Sequence, residues 1–88
     1  MKVEVQKSFE KDIEKITDKK LGNQVASVIA QLESCKTLAE VRNMKKMKAK
    51  GNYYRVRIGT YRLGLRHDQS ALVLLRFMHR KDIYTYFP

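Results

Sequence analysis

Residues 53–67 read Tyr-Tyr-Arg-Val-Arg-Ile-Gly-Thr-Tyr-Arg-Leu-Gly-Leu-Arg-His. Aliphatic, aromatic and β-branched residues alternate with arginines on both sides of Gly59-Thr60, which predicts two strands joined by a two-residue hairpin turn. Successive strand side chains point to opposite faces. Tyr54, Val56 and Ile58 therefore share one face, and Tyr53, Arg55 and Arg57 the other. On the return strand Tyr61, Leu63 and Leu65 separate in the same way from Arg62, Gly64 and Arg66. One face is apolar and its reverse carries four arginines with no acidic residue between them. Such a row repels itself unless an anionic partner covers it.

Towards the amino end, Lys2 to Gln6 alternates and predicts a short strand with Val3 and Val5 buried. Ser8 is placed to cap a helix whose apolar face is Phe9, Ile13 and Ile16. Asp18 is placed to cap a second helix, where Leu21, Val25, Val28, Ile29 and Leu32 repeat at helical spacing. From Ser34 to Asn52 the periodicity weakens: Thr37 to Glu40 suggests a short helical turn, and Met44 and Met47 read as core filler. Lys45, Lys46, Lys48 and Lys50 form a basic run, either a solvated loop or a phosphate-contacting one.

Towards the carboxyl end, His67 to Ser70 supplies a turn, and Ala71 to His79 predicts a strand covered on both faces for part of its run. The closing Arg80 to Pro88 reads as a turn or short helix dense in basic and aromatic side chains. The fold class that follows is α+β: an N-terminal strand, a two-helix hairpin, then a three-stranded antiparallel sheet (β-α-α-β-β-β), with the helices on one sheet face. Residues 1–88 are expected to form one domain.

Nineteen Lys and Arg against nine Asp and Glu give a formal net charge of +10. So large a charge on so short a chain points to a polyanionic partner, either nucleic acid or an acidic protein. The single cysteine, Cys35, excludes an internal disulfide and a cysteine-rich zinc site, and is expected to be structurally neutral in a reducing cytoplasm. No signal peptide or membrane span is evident, the longest apolar run being Ala71 to Leu75. A soluble cytoplasmic protein is expected.

On the arginine face, Arg55, Arg57, Arg62 and Arg66 would be joined by Arg76 if neighbouring strands pair in order, with Tyr53 flanking them. Guanidinium groups give planar contacts to phosphate and tyrosines give stacking platforms, a combination suited to single-stranded RNA. At Tyr54-Arg55-Val56-Arg57-Ile58-Gly59-Thr60-Tyr61-Arg62-Leu63 and at His79-Arg80-Lys81-Asp82-Ile83-Tyr84 the sequence resembles the RelE-like toxins of toxin–antitoxin pairs, part of the RelE/ParE superfamily. The resemblance covers nearly the whole chain.

The resemblance implies ribosome-dependent cleavage of mRNA in the ribosomal A site, by metal-independent attack of the ribose 2′-hydroxyl on the adjacent phosphate. It also implies a small acidic antitoxin as partner, with no cofactor and no metal. Arg57, Arg62, Arg80, Lys81 and Tyr84 are then the catalytic candidates. Arg55, Arg66, Arg76, Lys45, Lys46, Lys48 and Tyr53 are the RNA-binding candidates. The antitoxin is expected to lie over the basic groove or displace the terminal helix, and to bury apolar strips near Leu38 and Met47.

Two departures from the family pattern stand out. Arginines occupy the second-strand positions where lysines are usual, and an arginine is a poor general base, so Lys81, Tyr84 or His79 must handle protons. Met78 stands where glycine is usual. The alternatives are a ParE-like gyrase inhibitor and a catalytically inactive member that binds RNA or antitoxin.

Overall fold

The computed structural model describes all 88 residues. Five strands, β1 (Lys2–Val5), β2 (Met44–Lys46), β3 (Tyr53–Ile58), β4 (Tyr61–Asp68) and β5 (Ala71–His79), are accompanied by three helices, α1 (Lys7–Glu14), α2 (Lys19–Ser34) and α3 (Arg80–Tyr86). A 3₁₀ turn spans Leu38–Glu40. The strand order is β1-β5-β4-β3-β2, with β1 parallel to β5 and every other pair antiparallel.

The hairpin forms as its alternation predicts. Gly59 has φ +60° in the two-residue turn, a conformation that glycine adopts without a Cβ clash. Val56, Ile58, Leu63 and Leu65 are buried against Phe9, Leu21, Val25 and Leu32, so α1 and α2 cover one sheet face. Asp18 caps α2, accepting from the N–H groups of Lys20 at 2.8 Å and Leu21 at 3.2 Å.

Ser8 does not cap α1, because the helix begins two residues earlier than such a cap would set it, at Lys7, and its N-cap is Gln6. The Ser8 hydroxyl donates instead to the Leu75 carbonyl at 2.6 Å, fastening the helix to β5. The basic run contains a strand that periodicity did not reveal: β2 has only three residues and pairs with β3 at the sheet edge. Cys35 is more than neutral filler, being buried in the main core.

Along β5, Leu72, Val73 and Leu74 are all buried, the doubly covered run that its composition predicts. The β4–β5 register slips between Gly64 and Leu65, leaving Leu75 without a partner in the ladder. This is the geometry of a β-bulge. Asp12 of α1 sits at the break. It is only 6% exposed and accepts from Arg76 Nε at 2.8 Å, Arg76 Nη2 at 3.2 Å and the Phe77 N–H at 2.9 Å.

One buried carboxylate thus satisfies a guanidinium and a backbone donor at the irregular point of the longest strand. Replacing it by alanine orphans both. Asp12→Ala is expected to lower unfolding free energy by about 2–4 kcal/mol, with Asp12→Asn intermediate; a denaturation midpoint unchanged in Asp12→Ala would show that this contact contributes nothing.

Candidate nucleic-acid interface

The ladder registers place the basic side chains row by row. Arg57 lies opposite Arg62, Arg55 opposite Gly64 and Tyr53 opposite Arg66, all with side chains directed away from the α1/α2 core. Lys45 extends the Arg55 row onto β2. Lys46 registers with Tyr54, in the row of opposite parity, and Lys48 lies beyond the end of β2. Of the three lysines, only Lys45 shares the arginines' face by register.

The arginines differ in how their charge is satisfied. Three ion pairs form: Lys2–Glu4, Arg66–Asp68 at 2.7 Å and Arg76–Asp12 at 2.8 Å. The hydrogen bonds that Arg66 donates to Asp68 and Arg76 to Asp12 raise the pKa of both arginines above the ordinary value. Arg76, placed among the RNA-binding candidates by strand order, is instead drawn to α1, because the buried Asp12 carboxylate requires a cation.

Arg57 and Arg62 meet only neutral acceptors. Arg57 Nη2 donates to the Asn43 side chain at 3.2 Å. Arg62 Nη1 donates to the carbonyls of Gly59 at 3.0 Å and Tyr61 at 2.9 Å. Arg62 Nε is buried with no acceptor, an unspent donor in the middle of the cationic row. Neither Arg55 nor Arg80 takes part in an ion pair.

The terminal helix folds onto this same face. Its start is tied to the hairpin turn by the Arg80 N–H, which donates to the Thr60 carbonyl at 2.8 Å. That bond brings Arg80 beside the turn that separates Arg57 from Arg62. His79 caps α3, its Nδ1 accepting from the Lys81 N–H at 3.1 Å. A neutral His79 therefore carries its proton on Nε2.

Ile83 and Phe87 are buried, while Tyr84 is 59% exposed. Lys81 is exposed as well. Phe87 packs over Gly64, where a Cβ would lie 2.9 Å from three ring atoms, and meets Tyr53 edge-on at 5.7 Å. Phe87 is thus a packing residue. Tyr53, counted among the RNA-binding side chains, stands against that ring and is half-buried.

Residues 3–84 match the family described as ParE toxin of type II toxin–antitoxin system, parDE. The chain belongs to the RelE/ParE toxin superfamily. A curated relative, Toxin RelE3 of Methanocaldococcus jannaschii, is 34% identical over 89 residues, covering the whole of both sequences. The toxin's fold is similar to that in the RelB–RelE antitoxin–toxin complex of Methanococcus jannaschii, with TM-score 0.82 and 30% identity over 97% of this chain and 99% of that one. It is also similar to the RelE–RelB complex of Pyrococcus horikoshii, with TM-score 0.73 and 20% identity over 90% and 93%.

No helix of the toxin is long and apolar enough to cross a membrane, and no three His, Cys, Asp or Glu side chains converge to hold a metal ion. The features of the site that sequence reading missed are Gly64 as the seat of Phe87 and Asp12 as the partner of Arg76. The first had a signal: an isolated glycine in an otherwise bulky strand marks close approach by another group. Gly64→Ala is expected to push Phe87 outward and cost about 1–3 kcal/mol. Faster amide exchange over Arg80–Tyr86, with β3 and β4 unchanged, would be the readout; equal protection in both proteins would count against a seated Phe87.

Proposed function

We propose that this toxin is an endoribonuclease that cleaves mRNA in the ribosomal A site and is neutralised by an acidic antitoxin. The observation that carries the reading is the division of the arginines. Arg66 and Arg76 are neutralised by carboxylates, whereas Arg55, Arg57, Arg62 and Arg80 form no ion pair. Arg57 and Arg62 face each other across the hairpin, an arrangement that an anion between or above them relieves.

In the proposed reaction a ribose 2′-oxygen attacks the adjacent phosphorus, and the bond to the next nucleotide's 5′-oxygen breaks. A phosphorane with negative charge on its non-bridging oxygens lies between. Arg57, Arg62 and Arg80 would stabilise that charge. Arginine is a poor base, so Lys81 or Tyr84 would take the 2′-hydroxyl proton, and Lys81, Tyr84 or the Nε2–H of His79 would supply one to the leaving 5′-oxygen. Lys81 and Tyr84 are exposed on α3, accessible to a bound strand. Arg55, Arg66 and Lys45 would contact flanking phosphates, and Tyr84 would also stack against a base.

The RelB partner named in the two related complexes supports assigning an antitoxin to this chain too. The net charge of +10 favours an acidic one, with faster association at low salt. A second reading, a gyrase inhibitor, takes its support from the ParE description of the matched family. The unpaired arginine cluster weighs against it, and a gyrase supercoiling assay separates the two.

In a translating extract, purified toxin is expected to produce cuts within codons at the A site. Arg62→Ala is expected to reduce the cleavage rate by about 100-fold or more, while Arg66→Ala, whose charge is already shared with Asp68, should lose far less. Intact message in the presence of folded toxin, together with inhibition of gyrase, would overturn this function.

A further inference from the structure

Asn43 occupies the turn that leads into β2, with φ +62°. That left-handed conformation is uncommon for a residue with a Cβ, and asparagine is among the few side chains that tolerate it. Its flanks hold it there: Val41 is buried in the core, and Met44 registers with Val56 on β3. Glycine would meet the same φ with less strain. What asparagine adds is an amide.

That amide is engaged. The Asn43 main-chain carbonyl accepts from the Arg57 N–H at 3.0 Å, and its side-chain Oδ1 accepts from Arg57 Nη2 at 3.2 Å. One residue thus grips Arg57 at both its backbone and its guanidinium. Asn43 immediately precedes β2, and the strand order β4-β3-β2 puts it across β3 from β4. Reaching for it draws the Arg57 guanidinium toward β2. Arg62, on β4, turns instead onto the carbonyls of Gly59 and Tyr61. Two like charges that share a ladder register are therefore held to different sides by neutral acceptors.

The neutrality of the acceptor matters as much as its position. Nη2 is the only guanidinium nitrogen of Arg57 that is engaged, and Arg57 is exposed. The notch of about 270 Å³ that Asn43 and Arg57 share with Gln24, Ser27 and Val28 of α2 has no acidic residue in its lining. Asp12 supplies the contrast within the same molecule, since its carboxylate neutralises Arg76. An aspartate at position 43 would match asparagine in size and in tolerance of positive φ, yet would pair with Arg57 as Asp12 does with Arg76.

We propose that Asn43 is the positioning residue of Arg57: its amide sets the guanidinium apart from Arg62, leaving room for an RNA phosphate between the two, and keeps the charge uncompensated until the phosphate binds. The choice of phosphate as ligand rests on the RNA-cleaving reading. The test compares Asn43→Asp, Asn43→Gly and Arg57→Ala, singly and in pairs, in two assays of the purified full chain. One is cutting of message in the translating extract. The other is fluorescence-anisotropy binding of a labelled 2′-O-methyl oligoribonucleotide, which cannot be cut because its nucleophile is blocked.

Asn43→Asp is expected to lower cutting rate and affinity by about tenfold, because the carboxylate competes for the guanidinium and repels the phosphate. Asn43→Gly, which keeps the turn and loses only the amide, is expected to lose about threefold. In the Arg57→Ala background neither substitution should lose anything further, whereas a loss through misfolding would persist there. Asn23→Asp, at an exposed position of α2, controls for charge alone and should stay within about twofold of the wild type. A toxin that binds the oligonucleotide with the Asn43–Arg57 coupling intact but cuts nothing upholds the positioning role and overturns the nuclease reading. Cutting at the wild-type rate by Asn43→Asp, or an Asn43 effect that persists unchanged without Arg57, overturns the positioning role and leaves the nuclease reading standing. A wild type that neither binds nor cuts overturns both.

Discussion

Two arginines standing opposite each other across a two-residue turn, with no carboxylate between them, set the terms for the rest of this structure. Arg57 and Arg62 are cross-strand neighbours, and like charges so placed destabilise a sheet by about 0.2–1 kcal/mol. The same hairpin buries Val56, Ile58, Leu63 and Leu65 on its other face, and each such side chain contributes about 1.5–3 kcal/mol on leaving water. The strand period therefore couples the two faces: the register that buries four aliphatic groups also places the arginines outward. Packing is the larger effect, and it holds the repulsion in place.

A sheet with a charged reverse face still has to seal its interior strands. Between β1 and β4, β5 buries Val73 as well as Leu72 and Leu74, and α3 packs on β4 and β5 from the end of the chain. Phe87 fits over Gly64 because that position has no side chain. The short helix consequently has two tasks. Through Ile83 and Phe87 it supplies apolar cover, and through Arg80, Lys81 and Tyr84 it brings polar groups to the rim of the arginine rows. A substitution at the Gly64 seat disturbs the position of the latter by moving the former.

Local periodicity made most of the fold legible. The hairpin alternates strictly, α2 repeats its apolar positions over sixteen residues and has a capping Asp18, and β5 is a continuous apolar run; each is a signal carried by near neighbours in sequence. What escaped depended on distant partners. β2 is three residues of Met-Lys-Lys whose strand conformation comes from pairing with β3. Arg76 looked like one more surface arginine because its partner, Asp12, is sixty-four residues away. Arg55, Arg57, Arg62 and Arg66 were placed together correctly by the two-residue period, yet the period carries no information on which of them a carboxylate will neutralise.

The Asp12–Arg76 pair shows why that division matters. A guanidinium bound in two-point fashion to a buried carboxylate is held by contacts that salt screens weakly, so Arg76 serves the join between α1 and β5 and contributes little field to the outer face. Arg57 and Arg62, resting on an amide and on turn carbonyls, keep their full charge. Exchanging those neutral acceptors for phosphate oxygens gains a charge-assisted hydrogen bond without first breaking an ion pair. A census of basic residues would count Arg57, Arg62 and Arg76 alike; their partners separate the two arginines that remain available to an anion from the one that the fold has already used.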